Sequence, residues 1–249
     1  MKKRNLVFTS ILLIVCWYIL ARLINQPIFP DPFYVAVSFY NETTNGDLFA
    51  HFLASFWRVA AGTILSILIA APSGLILGQY RRLNNLLSPL IYILYPIPKV
   101  VFVPVILLFL GVGDLAKIVI IISILYFQIL VLVRDQAASL RPELIQSVRS
   151  LGAGRRALFR YVYFPASLPA ILTALRQSIG TAVAVLYITE LFATRKGLGY
   201  YIFLNGSTLL DYPAMYAGVI AMSLLGLGMY FVVDALERWS TPYIFMNNP

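Results

Sequence analysis

The sequence predicts an all-α membrane protein with six transmembrane helices. Three observations carry this prediction. The 249 residues are 60% hydrophobic and only 12% charged, with a mean hydropathy of +0.83, an apolar load that a soluble domain of this size would not keep in water. The apolar residues form continuous runs close to the roughly 20 residues a helix needs to cross a hydrocarbon core about 30 Å thick. Those runs lack the alternation of barrel strands, and helices and closed barrels are the structures that satisfy their own backbone in lipid.

The first run, Leu6–Ile24, has a basic start and an apolar middle. It continues to Leu20, Arg22 follows, and no small-x-small cleavage site appears, so it reads as an uncleaved helix. Cys16 lies inside it and is expected to be a small core residue. The second run, Ser55–Gln79, opens near Arg58 and carries Gly62, Pro72, Gly74 and Gly78. Gly74 and Gly78 form a small-xxx-small pair, read here as ordinary helix packing.

The third run, Leu86–Leu110, holds Pro89, Pro96, Pro98 and Pro104. Proline removes a backbone donor and breaks the helix ladder. Such breaks are tolerated where the freed groups line a cavity or pack in protein. Lys99 sits in this run. A charge at that depth costs about 3 kcal/mol on insertion scales, so it should face the bundle interior, a water-filled path or another subunit. The fourth run, Leu115–Val133, follows Gly111 and Gly113, and Asp114 and Lys117 read as a turn with local charges at the outer surface. The fifth, Pro169–Phe192, contains Arg176 and Glu190. Glu190 suits either a pathway role or an interfacial ion pair. The sixth is Pro213–Ala235. No linker, repeat or low-complexity segment interrupts the chain, so residues 1–249 read as one transmembrane domain.

The charge of +9 orients this bundle. Lys2, Lys3 and Arg4 precede the first span, and Arg81 and Arg82 follow the second. Arg134, Arg141, Arg149, Arg155, Arg156 and Arg160 lie between the fourth and fifth, and Arg238 follows the sixth. All fall on one side when both termini share that side. The opposite segment Asn25–Ala54 has Asp31, Glu42 and Asp47 and no Lys or Arg, and the remaining loops there hold Lys117, Arg195 and Lys196. The positive side is the cytoplasmic one. Basic residues that flank spans in this way explain the charge without nucleic acid.

Catalytic signatures are missing from the sequence. It has no G-x-x-x-x-G-K-[ST] phosphate loop, no G-x-S-x-G elbow, and one His, which excludes H-E-x-x-H. One Cys and one His leave little for a disulfide or a metal site. No catalytic residue, metal or cofactor is expected in the chain.

One stretch breaks the lipid-like composition. Residues 134–168 are polar and rich in arginine. Pro142 suits a helix start and Glu143 complements the dipole of its first turn. Leu144, Val148 and Leu151 fall on one face, with Arg149 elsewhere. Gly152 then interrupts, and a second short helix is predicted from Arg155 to Phe164, before Pro165 and Pro169 introduce the fifth span. Two short cytoplasmic helices hinged at a glycine make a knob that a partner can grip.

This stretch resembles the cytoplasmic motif of permeases of the ABC importer superfamily: E-A-A, three residues, G, nine residues, I-x-L-P. Here it reads Gln146-Ser147-Val148, three residues, Gly152, nine residues, Val162-Tyr163-Phe164-Pro165. The glycine, spacing and proline agree, while Gln146 replaces Glu and Ser147 and Val148 replace Ala. IPKVVFVP with LGVGDLAKI, and KGLGYYI, are similar to permeases of the nitrate, sulfonate, taurine and bicarbonate group, with thiamine-precursor and riboflavin permeases in the same set.

The resemblance implies a type I ABC importer permease fold with a cytoplasmic coupling helix, in a bacterial cytoplasmic membrane with both termini inside. It implies partner ATPase subunits that bind ATP and Mg, a second permease copy and an extracytoplasmic substrate-binding protein. Glu143, Gln146, Ser147, Val148, Arg149, Leu151, Gly152, Ala153 and Gly154 would form the coupling contact. Lys99, Arg176 and Glu190 are the candidates for the translocation path. Lys99, Arg58 and Arg176 suit a small anion such as nitrate, a sulfonate or bicarbonate; sixteen Phe and sixteen Tyr suit a flat heterocycle such as a pyrimidine or flavin. A self-sufficient secondary transporter or channel, using the same intramembrane charges, is the competing expectation.

Overall fold

The structure, a computed structural model, describes residues 3–192 and 194–242, and every regular element among them is helical. Lys2, counted above with the basic N-terminus, lies outside the described residues. The helices are α1 (Lys3–Ile24), α2 (Pro32–Thr44), α3 (Leu48–Gln79), α4 (Arg81–Leu94), α5 (Val103–Leu110), α6 (Asp114–Ala138), α7 (Pro142–Ser150), α8 (Arg155–Leu158), α9 (Phe164–Glu190), α10 (Leu198–Phe203) and α11 (Tyr212–Ser240). A 3₁₀ turn covers Lys99–Phe102, and π-helical turns cover Phe159–Tyr163 and Leu204–Leu209.

Among the described residues, four stretches are each long and apolar enough to span a bilayer: α3, α6, the continuous run Arg155–Glu190, and α11. The third predicted span is a pair, Arg81–Leu94 and Lys99–Leu110, bent by 74°. Pro96 and Pro98 lie in the break, where their missing N–H groups and fixed φ end the α4 ladder. The first predicted span is the shorter apolar helix Phe8–Ile24 within α1.

The described residues of 1–56 and 190–225 form one compact unit, and those of 57–189 and 226–249 form another. In the first unit, Val35, Leu48, Leu198, Tyr201, Ala214 and Ala217 are buried. In the second, α6 is the central element, with Ile120, Ile121, Leu125, Ile129 and Val133 removed from the surface. The glycines of α3 let it come close. A Cβ on Gly78 would stand 2.5 Å from Ala137 Cβ, and one on Gly74 would stand 2.9 Å from Leu130 O, so both keep α3 against the α6 backbone.

Four expectations change. Residues 25–54 contain a helix, α2, started by Asp31, whose side chain accepts from Phe33 N–H at 2.7 Å, with Pro32 at the first helical position. The second short helix does not stop before the fifth span: Phe164 N–H donates to Phe159 O across the π turn, and that wider turn carries Pro165 into α9 without a break. Cys16 is exposed on the surface of α1 rather than in a core. Lys117 is not exposed at that turn. It lies in the first turns of α6, fully buried, where Nζ donates to Val112 O at 2.7 Å. The turn signalled by Gly111 and Gly113 is there, but the helix begins at Asp114 and the lysine reaches back to the carbonyls left at the end of α5.

Candidate functional site

The polar knob is built by local rules. Pro142 occupies the first helical position of α7 and Glu143 its first turn. The helix ends at Gly152, whose φ of 82° is left-handed backbone that favours glycine. Gly152 N–H donates to Arg149 O at 2.9 Å and Ala153 N–H to Val148 O at 3.4 Å. Those two bonds are the 5→2 and 6→1 pair of a Schellman ending. Gly154 then precedes α8, and the chain turns back into α9.

The knob's side chains look outward. Glu143, Gln146, Ser147, Arg149, Leu151, Gly152 and Gly154 are exposed, with Val148 and Ala153 half-buried. Among the described residues, Glu143, Gln146 and Arg149 make no side-chain hydrogen bond or ion pair within the chain. Leu151, at the tip, is 87% exposed, and Leu144 on the same face is half exposed. A leucine so placed in water loses the burial that would stabilise it, about 2 kcal/mol for a full side chain. Gly152 has nothing within 4 Å of a Cβ built on it, so its constraint is conformational and not steric.

The three intramembrane candidates have different settings. Lys99 stands at the break after α4. Its Nζ donates to Leu94 O at 2.7 Å, Tyr95 O at 2.9 Å and Ile97 O at 3.2 Å, and it lies 4.5 Å from the centre of the Phe127 ring. An ammonium has three N–H donors, so the broken helix end takes all of them, and the positive charge complements the negative end of α4. The same lysine borders a cleft of about 360 Å³ with Tyr95, Ile97, Phe127, Gln128 and Thr181. Arg176 on α9 is tied to α11, 3.1 Å from Asp234 Oδ1 and 2.9 Å from Glu237 Oε2, with Arg238 on the other oxygen of Asp234.

Glu190 is fully buried and holds a loop. Its Oε2 accepts from Gly199 N–H at 2.8 Å, and both its oxygens lie 2.9 Å from Ser55 Oγ, which in turn accepts from Leu198 N–H at 2.7 Å. His51 adds a third pin: Gly197 N–H donates to its Nδ1 at 2.9 Å, and the ring packs on Tyr200 and Tyr201. Tyr201 OH donates to Glu42 Oε2 at 2.9 Å, and burial first, then that carboxylate, pushes the phenol well above its usual range. His51, Ser55 and Tyr201 have no role in the sequence reading, and Glu42 enters it only as a charge of the first outer segment. Arg58, read there as a charge at the start of the second span and as suited to a small anion, pairs with Asp114 at 2.7 Å and so ties α3 to the first turn of α6.

The bent helix pair, the glycine-assisted packing of α3 on α6 and the exposed helical knob all lie within one stretch of the chain. Residues 62–242 match the family described as the binding-protein-dependent transport system inner membrane component. The chain belongs to that family. It is similar to a probable ABC transporter permease protein of Brucella melitensis, 30% identical over 227 residues that make up 91% of this chain and 92% of the relative. The taurine transport system permease protein of Escherichia coli is 26% identical over 94% of this chain and 87% of its own length. Among solved structures, the methionine ABC transporter in an inward-facing conformation shares the fold, with a TM-score of 0.68 over 80% of this chain and 99% of that one at 18% identity. This permease is therefore an inner-membrane component of a binding-protein-dependent ABC importer, with the type I permease fold. Family membership sets aside the self-sufficient carrier.

Proposed function

We propose that two copies of this permease form one pore, and that each presents its α7–Gly152–α8 knob to a separate ATPase subunit. That subunit binds ATP with Mg, and its closing and opening rock the bundle between outward- and inward-facing states. The observation that carries this reading is Leu151, almost fully exposed at the tip of a rigidly terminated helix. A large apolar side chain at the centre of an exposed polar surface is what a groove in a partner would anchor. Glu143, Gln146, Ser147, Val148, Arg149, Ala153 and Gly154 frame it.

With the knob in the cytoplasm, both termini are cytoplasmic, residues 25–47 face outward, and the substrate-binding protein delivers its solute on that side. The cleft beside Lys99 belongs to the solute path. The prolines and the lysine support this together: the breaks free backbone carbonyls, and the ammonium that satisfies them places a positive charge beside the opening. Arg176 ties α9 to α11, and Glu190 keeps the loop of residues 197–199 in shape. The whole chain works as a single transmembrane domain.

The test is Gly152→Asp in the transporter reconstituted with its ATPase and binding protein. The expected outcome is solute uptake lost while ATP hydrolysis persists, and the purified permease alone hydrolyses no ATP. Unchanged uptake in this variant would remove the knob from the mechanism.

A further inference from the structure

Helix α2 is turned the wrong way for a helix in water. Its inner side carries Val35, fully buried, and Glu42, the one charged residue of the helix, whose carboxylate accepts from Tyr201. Its outer side carries Phe33, Tyr34, Val37 and Tyr40, which are 71%, 65%, 44% and 68% exposed. No Lys, Arg, Asp or Glu lies on that outer side. Asn41 and Thr44 are the exposed polar residues of that side. A largely aromatic surface without a charge is a contact surface for something mostly apolar.

The chain on either side restricts what that something is. Residues 25–31 are all that separates α2 from the apolar helix Phe8–Ile24, and residues 45–47 are all that separates it from the spanning helix α3. The junction with α1 is fixed: Trp17 Nε1–H donates to Pro30 O at 3.2 Å, and Arg22 pairs with Asp31 at 3.4 Å. The helix is thus held within a few residues of the apolar helix Phe8–Ile24 and of the spanning helix α3, which on the six-span reading of the sequence puts it close to the level where a bilayer meets water. Rings, and tyrosines above all, are the side chains enriched at that level, because the ring sits among chains while the hydroxyl reaches water.

The outer face of α2 also continues into a groove of about 830 Å³ shared with α1, bordered by Ile14, Val15, Tyr18, Phe33, Ala36 and Ile220. On α1 itself, Leu13 is 65% exposed. Both helices precede residues 62–242, the part that matches the family.

We propose that α2 is an interfacial helix. Its Phe33–Tyr40 face lies in the polar–apolar boundary of the bilayer, and lipid chains fill the α1–α2 groove. The occupant is membrane lipid, not a second copy of the chain or the binding protein. This holds whichever leaflet the helix meets, and it does not depend on the ATPase contact.

The experiment uses the assembled transporter in phospholipid nanodiscs, with Cys16→Ser and a nitroxide on a single cysteine at Phe33→Cys or Tyr40→Cys. Leu13→Cys is the lipid reference and Arg195→Cys, exposed in the loop after α9, the aqueous one. The ratio of oxygen to nickel-chelate accessibility at both α2 sites should rise several-fold above that at Arg195 and approach that at Leu13. A ratio equal to that at Arg195 places the face in water and overturns the proposal. Exclusion of both reagents places protein over it and overturns the proposal equally. Tyr40→Trp keeps a ring in place and gives a second reading: the emission it adds to that of the native tryptophans should be quenched by lipids brominated near the headgroup, and an added emission that is not quenched would oppose the assignment.

Discussion

Two glycine-bearing loops flank α9, and they use the same backbone device for opposite ends. Gly152, before α9, and Gly197, after it, have φ values of 82° and 130°, conformations that side chains disfavour. Around Gly197 the chain supplies its own partners: His51, Ser55 and Glu190 take the N–H groups of residues 197, 198 and 199 in turn. Around Gly152 it supplies only the two bonds that end α7, and Leu151 beside it is bare. A loop whose bonds close within the chain is part of the scaffold. One that finishes a helix and then leaves its largest apolar residue in the open is the surface that the proposed function assigns to a partner.

The contrast breaks most readily at Leu151. Leu151→Asp should lower coupled uptake by about 100-fold, the loss typical of a central interface anchor, at an unchanged unfolding temperature of the permease. Uptake into proteoliposomes and thermal unfolding of the same purified protein decide it. A fall in both would mean that Leu151 is part of the permease core after all.

Glu190→Ala should do the reverse. It strands Gly199 N–H and the Ser55 hydroxyl in a buried site, which costs about 2–3 kcal/mol. The unfolding temperature should fall, and amide exchange should accelerate at Leu198 and Gly199. Glu190→Gln keeps an acceptor oxygen and should recover much of the loss. If Glu190→Ala unfolds at the wild-type temperature, the loop is not held in the way its geometry indicates.

The two loops also differ in how far a sequence discloses them. The knob was legible because its signals are local: a proline at the helix start, an acid in the first turn, an apolar face and a glycine at the end all lie within residues 142–152. The pin was not, because its parts are remote. His51 meets a residue 146 positions away and Ser55 one 135 positions away, and no spacing rule joins them. Lys99 was legible as a charge in a proline-broken span, but its partners are carbonyls, which every residue has and no composition reveals. Lys117 was misplaced for a related reason. Two glycines before it mark a turn, and only the structure shows that α6 begins at once and buries the side chain. Helix α2 escaped because its outward rings give it no water-facing polar stripe for a periodicity to report.

Alanine at each glycine sharpens the comparison by holding chemistry constant. Gly197→Ala should cost about 1–3 kcal/mol, since its backbone is fixed by three side-chain pins and cannot relax. Gly152→Ala should cost about 1 kcal/mol, because space is open around it and the strain is that of the left-handed backbone alone. Calorimetric unfolding of both variants gives the two values. Equal costs would mean that the pins do not hold the Gly197 backbone.

Serine supplies the smallest and most discriminating pair. Ser55 and Ser150 each donate through Oγ, but Ser55 is buried and its oxygen is also the acceptor for Leu198 N–H. Ser150 is exposed and only bonds back to Gln146 O and Ser147 O in its own helix, carbonyls that water can serve as well. Ser55→Ala should therefore cost about 1–2 kcal/mol, because a buried N–H loses its partner. Ser150→Ala should leave stability within about 0.5 kcal/mol. It should also leave uptake unchanged, because the proposed grip is on the apolar tip and not on the polar flank. If Ser150→Ala cuts uptake as deeply as Leu151→Asp, the partner reads the flank of α7, and the anchor has been assigned to the wrong side of the knob.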